Sequence, residues 1–232
     1  MRQFERGPII IGGSPRSGTS LLISILSSHP DIYCIREEAW AFYDTNSLSE
    51  FETIINGNLW RHIPDGVERS HRRWCEKTPR NVFAIRNLLN FFGPDLRFIH
   101  IVRDGRDVIT SKHPHDPSRF WVGEEEWVWT VTEGLQYRDH PQVLTVRYED
   151  IVLEFESTIK RILEFTGDAI IESVLDWHRF THIREHSAWF GSVEPLNPAR
   201  IGRWRTFQDS EVIRHFLANE YATKLLLELG YL

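Results

Sequence analysis

The chain has 232 residues, 41% of them hydrophobic and 26% charged, enough for one sizeable core and best read as a single domain over residues 1–232. Its 27 basic and 33 acidic side chains give a formal net charge of −6, which argues against broad binding to nucleic acid or to an anionic membrane. Two cysteines, Cys34 and Cys75, form neither a disulfide framework nor a zinc spacing, and with no apolar leader or run of about 18 apolar residues the expectation is a reducing, cytoplasmic setting without a membrane span.

In chain order, the apolar run Pro8-Ile9-Ile10-Ile11-Gly12 predicts a strand over residues 9–13. A helix follows over residues 20–28, ended by His29-Pro30, and then a short strand over residues 31–35. Residues 40–75 carry no period and read as irregular. Thr78-Pro79 predicts a helix start, with Thr78 as the cap and Pro79 in the first turn. That helix runs through Val82, Phe83, Leu88 and Leu89 and stops at Gly93-Pro94. Residues 96–102 form the clearest buried strand, followed by a helix capped by Asp104. A helix over residues 124–138 puts Trp127, Val128, Val131 and Leu135 on one face. Residues 143–146 read as a strand, and residues 151–166 as a helix stopped by Gly167. Residues 180–205 are irregular, and a last helix over residues 211–229 has Ile213, Phe216, Leu217, Tyr221, Leu225 and Leu229 as its apolar face. The alternation predicts an α/β fold, a central parallel sheet flanked by helices in three layers. Residues 40–75 and 180–205 would be excursions that build an acceptor pocket or lid.

Two strand-to-helix junctions carry the chemistry. The first reads Gly13-Ser14-Pro15-Arg16-Ser17-Gly18-Thr19-Ser20. A Gly-rich turn at a helix start lets successive backbone N–H groups converge on one anion. The Gly13-x4-Gly18 spacing matches a kinase-type phosphate loop, but Thr19 stands where that loop needs Lys, and the cation has moved forward to Arg16. The loop should therefore hold a phosphate or sulfonate without being an ordinary ATP loop. The second junction is Val102-Arg103-Asp104-Gly105-Arg106-Asp107, continuing to Ser111. Arg103 lies at the carboxyl end of a central strand, where open α/β sheets bind ligands. Ser111, two helical turns beyond the Asp104 cap, would share a helix face with it, and Arg plus hydroxyl suits a second phosphate. The alternative is an ion-paired helix start, Arg103 and Arg106 with Asp104 and Asp107. Two anion sites at neighbouring strand ends point to one ligand carrying two phosphates.

The pair of junctions resembles the sulfotransferases that use 3′-phosphoadenosine 5′-phosphosulfate (PAPS). Pro15, Arg16, Ser17, Gly18, Thr19 and Ser20 resemble that family's 5′-phosphosulfate loop, and Arg103 with Ser111 its 3′-phosphate site. Glu76-Lys77-Thr78-Pro79, Arg147-Tyr148-Glu149-Asp150 and Arg200-Ile201-Gly202-Arg203-Trp204 match further motifs in the family's order. The likeness is nearest to the branch with tyrosylprotein and carbohydrate sulfotransferases and short bacterial members. It implies a P-loop-kinase-like fold, PAPS as co-substrate, adenosine 3′,5′-bisphosphate (PAP) as product, and no metal requirement. It makes Lys77 a transition-state cation, places Tyr148 near the nucleotide, and closes Arg200, Gly202 and Arg203 over the 3′-phosphate and adenine. Arg16 joins Lys77 in balancing the departing charge.

For the base the sequence offers Glu37 and Glu38, just after the second strand, where the tyrosylprotein sulfotransferases carry their catalytic Glu; counting without gaps favours Glu37. His100 is the runner-up, with core packing as its plainer reading. Eleven histidines include the cluster His113-Pro114-His115-Asp116, but no HExxH or Cys/His zinc pattern exists. Trp40, Phe42, Tyr43, Trp60, Trp121 and Trp189 could line an acceptor pocket. A small-molecule or saccharide hydroxyl is the expected acceptor, with a peptide tyrosine also open; oligomeric state carries no signal. Two other readings compete: a P-loop kinase or NTPase, with Asp104 imitating a Mg²⁺ ligand, and a non-enzymatic nucleotide-binding scaffold.

Overall fold

The computed structural model describes residues 4–42, 51–53, 55–185, 195–207 and 210–232. Five strands, β1 (Ile9–Gly13), β2 (Ile32–Cys34), β3 (Arg73–Lys77), β4 (Arg97–Val102) and β5 (Val143–Arg147), pair in parallel in the order β2-β3-β1-β4-β5. Between and after them lie α1 (Thr19–Leu26), α2 (Ile85–Phe92), α3 (Gly105–Ile109), α4 (Glu124–Leu135), α5 (Tyr148–Leu153) and α6 (Phe155–Thr166). Two one-turn helices follow, α7 (Glu172–Leu175) and α8 (Trp177–Phe180), and the chain closes on α9 (Glu211–Ala218) and α10 (Glu220–Glu228).

Side-chain alternation along the strands builds the three expected layers. Ile9 and Ile11 of β1 and Ile99 and Ile101 of β4 pack against α1, α5 and α6. Ile10 and Phe98 point the other way, into a cluster with Ile85 and Leu88 of α2 and with Phe42, Phe51 and Leu59. A third cluster joins Val102 to Trp127 and Val131 of α4 and to Ile213, Phe216 and Leu226 of the last two helices. No helix among the described residues is long and apolar enough to cross a membrane.

Several elements depart from their sequence expectations. β3 is fully buried yet lies partly inside the stretch read as irregular, because Arg-Trp-Cys-Glu-Lys carries no apolar run. Its Arg73 is satisfied inside the protein: the guanidinium donates to Gly7 O at 2.8 Å and Thr166 O at 2.8 Å and pairs with Asp168 at 2.8 Å. Burial still pulls its pKa below the ordinary guanidinium value. Thr78 does not cap a helix; its hydroxyl donates to Glu76 Oε1 at 2.6 Å, and Pro79–Ala84 winds as a 3₁₀ segment before α2 starts. The helix expected over residues 151–166 starts earlier and breaks at Glu154. The last helix breaks at Asn219, whose side chain accepts from the N–H groups of Tyr221 and Ala222. That break turns Tyr221 and Leu217 outward, and Ala222 and Leu226 join the core instead. Cys34 and Cys75 are free thiols on directly paired positions of β2 and β3.

Candidate active site

The carboxyl ends of β1, β3 and β4 open onto a cavity of about 740 Å³. At its floor the loop after β1 turns at Ser14–Ser17, with Ser17 N–H donating to Ser14 O at 3.1 Å. Arg16 is held at φ 71, a left-handed conformation unusual for a residue with a Cβ. Gly18 takes φ 98 at the start of α1, and a Cβ there would come within 2.5 Å of the Tyr148 ring. Glycine is therefore required both for the backbone turn and for the close approach of Tyr148. No acidic residue lies in the first turn of α1, so its positive end faces the cavity uncompensated by its own helix.

Three guanidiniums converge on this loop. Arg103, one residue beyond β4, donates to Arg16 O at 3.1 Å and to Arg200 O at 2.7 Å, and its guanidinium sits 4.3 Å above the Tyr148 ring. Arg16 lies 5.5 Å from the Trp121 ring centroid. Burial and the neighbouring charges of Arg103 and Arg200 pull the Arg16 pKa down to about 10. Such a like-charge cluster is relieved by an anion placed among its members.

On the β3 side, Lys77 ends the strand, level with Ile11 of β1, and is buried. Its Nζ donates to Glu38 Oε1 at 2.7 Å. Glu37 also reaches the cavity, with its side chain 47% exposed and Arg36 Nε at 3.9 Å. Behind them Glu76 forms a fully buried hub: it accepts from Ala39 N at 3.1 Å, Thr78 Oγ1 at 2.6 Å and Asn81 Nδ2 at 2.7 Å. Asn81 Nδ2 also reaches Ile11 O at 3.0 Å. The hub ties the backbone after Glu38 to the strand that carries the phosphate loop. Burial raises the Glu76 pKa even against these three donors.

Of the residues singled out by sequence, Pro15, Arg16, Gly18, Thr19, Ser20, Glu37, Glu38, Arg103, Tyr148 and Arg200 line the cavity, as do Trp40 and Trp121. Lys77 meets it through Glu38. Ser17, Ser111, Gly202 and Arg203 are not in its wall. α3 ends at Ile109, so Ser111 lies beyond the helix rather than two turns along it, and its hydroxyl donates to Asp107 O at 2.7 Å. Asp104 caps α3 as expected, accepting from Arg106 N–H at 2.9 Å. His100 is wholly buried in the sheet, with its ring against Gly134 and its pKa pushed down by burial to about 3. Phe42 and Trp60 belong to or pack against the core cluster beside α2. Tyr43 and Trp189 lie outside the described residues. Sequence reasoning missed Arg80 and Glu126, which pair at 3.1 Å in the cavity wall, and the apolar patch of Leu21, Val152, Trp177 and Leu196. None of these stands in a recognisable motif, and only the folded chain brings them together.

A family model described as "Sulfotransferase family" matches residues 8–56 and 44–170. The protein-tyrosine sulfotransferase of Drosophila melanogaster is 24% identical over 89% of this chain, and the chain spans only 48% of that relative's length. Protein-tyrosine sulfotransferase 2 of Gallus gallus is 24% identical over 96% of the chain and 69% of its own length. Among solved structures, the sulfotransferase domain of the Synechococcus PCC 7002 olefin synthase superposes with a TM-score of 0.68 over 99% of this chain and 96% of that domain, at 17% identity. A mouse sulfotransferase complexed with PAP superposes with a TM-score of 0.58 over 100% of this chain and 90% of that one, at 16% identity. These likenesses support the P-loop-kinase-like sulfotransferase fold.

Proposed function

The chain belongs to the sulfotransferase family, and on that premise we propose that it moves a sulfuryl group from PAPS to an acceptor hydroxyl by in-line displacement, with a carboxylate as base. The observation that carries this is the convergence of Arg16, Arg103 and Arg200 on a phosphate loop at the start of α1, where burial first and the neighbouring charges of Arg103 and Arg200 second hold the Arg16 pKa down. PAPS would bring the sulfuryl group and depart as PAP.

Within the protein, Arg16 and the backbone N–H groups of Ser17, Gly18, Thr19 and Ser20 hold the 5′-phosphate and balance the charge that develops beside it, with Pro15 shaping the turn. Arg103 and Ser111 hold the 3′-phosphate; the Ser111 hydroxyl, bonded to a backbone carbonyl, can rotate to a better acceptor. Tyr148 borders the nucleotide, and the segment with Arg200, Gly202 and Arg203 covers it. Lys77 supplies a cation near the bridging oxygen. Glu37 takes the acceptor proton. Glu38 orients Lys77, whose Nζ donates to its carboxylate at 2.7 Å.

The set needs no metal to balance phosphate charge, since guanidinium and ammonium groups occupy that role. The kinase-type alternative is not favoured: Thr19 replaces the loop lysine, and the strand end presents Arg103 ahead of Asp104. We take residues 1–232 as one sulfotransferase domain. A small or saccharide hydroxyl is the proposed acceptor, set between Trp40, Trp121 and the Arg80–Glu126 pair; the named protein-tyrosine sulfotransferase relatives keep a peptide tyrosine as the second candidate. A reducing, cytoplasmic compartment fits the facing free thiols Cys34 and Cys75.

The test is a calorimetric titration of PAP into the protein with EDTA present. Binding that Arg103→Ala abolishes supports the donor site, and PAP release from PAPS with a panel of hydroxyl acceptors then defines the reaction. Binding of Mg-ATP in place of PAP would overturn it.

A further inference from the structure

Asp107 is buried in the middle of α3, its carboxylate wholly enclosed, and it lies outside the cavity wall. A buried carboxylate needs donors, and this one draws them from the far end of the chain. Its Oδ2 accepts the N–H of Gly202 at 2.7 Å and its Oδ1 the N–H of Trp204 at 2.8 Å. One helical turn back, Arg103 brings Nη2 to 3.6 Å from Oδ2 and donates with the same nitrogen to Arg200 O at 2.7 Å. Arg106 stacks on the Trp204 ring at 4.1 Å and pairs with Asp104 at 2.8 Å. Gly202 takes φ 72, and Asn197 starts the segment by accepting from Ala199 N–H at 3.0 Å. Among the described residues, two of the shortest bonds that hold this segment end on a single carboxylate.

We propose that Asp107 is a positioning residue of the 3′-phosphate pocket, stapling the backbone of Gly202 and Trp204 to α3 so that Arg200 is held beside Arg103. Gly202 then serves the site through the N–H it gives to Asp107, not through the ligand. Charge-assisted bonds to backbone N–H groups are strong and directional. A segment ordered in advance spares the nucleotide the entropy of ordering it. In Asp107→Asn, one of the two backbone donors faces an amide NH₂ instead of an acceptor, and Arg103 loses its nearest carboxylate. The inference rests on the PAPS reading of the donor site.

The experiment compares PAP with adenosine 5′-monophosphate, which lacks the 3′-phosphate, by calorimetry on the full chain and on Asp107→Asn. The parent chain should prefer PAP. In Asp107→Asn the PAP affinity should fall by about ten- to a hundredfold while the monophosphate affinity stays unchanged. A general loss of stability weakens both ligands alike and leaves the ratio in place, which would overturn the staple. A parent chain with no preference for PAP would overturn the donor-site reading itself. Gly202→Val attacks the same staple from the surface side, through its left-handed backbone, and spares the buried carboxylate. If Asp107→Asn does not fold, the same selective loss in Gly202→Val supports the staple and an unchanged ratio refutes it.

Discussion

Replacing His100 with leucine should make the fold more resistant to acid and leave sulfuryl transfer intact. His100 is wholly enclosed, and neither ring nitrogen has a hydrogen-bond partner among the described residues. The ring packs so closely on α4 that a Cβ on Gly134 would come within 2.3 Å of it. Burial alone holds its pKa at about 3, against 6.5 for an exposed imidazole. The folded value lies below the unfolded one, so the unfolded chain binds the extra proton first as pH falls. Stability is thus intact above 6.5 and is lost progressively towards 3. At about 1.4 kcal/mol per unit, roughly 2 kcal/mol is gone by pH 5 and on the order of 5 kcal/mol by pH 3. Urea unfolding of both chains at pH 7 and pH 5 reads this directly, and the parent should lose about 2 kcal/mol more than His100→Leu. Equal losses would refute the buried-imidazole argument. A stable His100→Leu chain without transfer activity would return His100 to the role of base.

Glu37→Gln should lower kcat by about 10²- to 10⁴-fold with PAP affinity unchanged; the same pattern from Glu38→Gln, with Glu37→Gln active, would transfer the base to Glu38. Arg73→Met removes one buried partner of Asp168 and leaves Arg6, at 2.6 Å, as its remaining ion-pair partner among the described residues. It should cost about 3 kcal/mol, a fall in Tm of roughly 6–12 °C, without touching PAP affinity, because Arg73 sits at the opposite end of β3 from Lys77. A change below about 1 kcal/mol would contradict that assignment.

By itself the sequence determined β1, β4 and β5, the phosphate loop and its displaced cation, the Asp104 cap and the Gly167 stop. Each is a local signal: an apolar run, a glycine at a required turn, an oxygen two residues ahead of the N–H it accepts. These signals act over a few residues and survive without knowledge of the fold. Tertiary structure decided whatever depended on charges finding partners. Arg73 and Lys77 hide a buried strand from any hydropathy pattern, because their burial is permitted by Asp168, Thr166 and Glu38, residues 39 to 95 positions away. Ungapped counting in the sequence favours Glu37 over Glu38 as the base, but only the approach of β3 pairs Glu38 with Lys77. Gly202 reads in sequence only as part of a motif, and the fold alone brings its N–H to Asp107; Asn219 splits a continuous amphipathic run because its side chain caps a new helix. A buried charge is stable only where the chain returns donors or countercharges to it, and which segments return is a property of the topology.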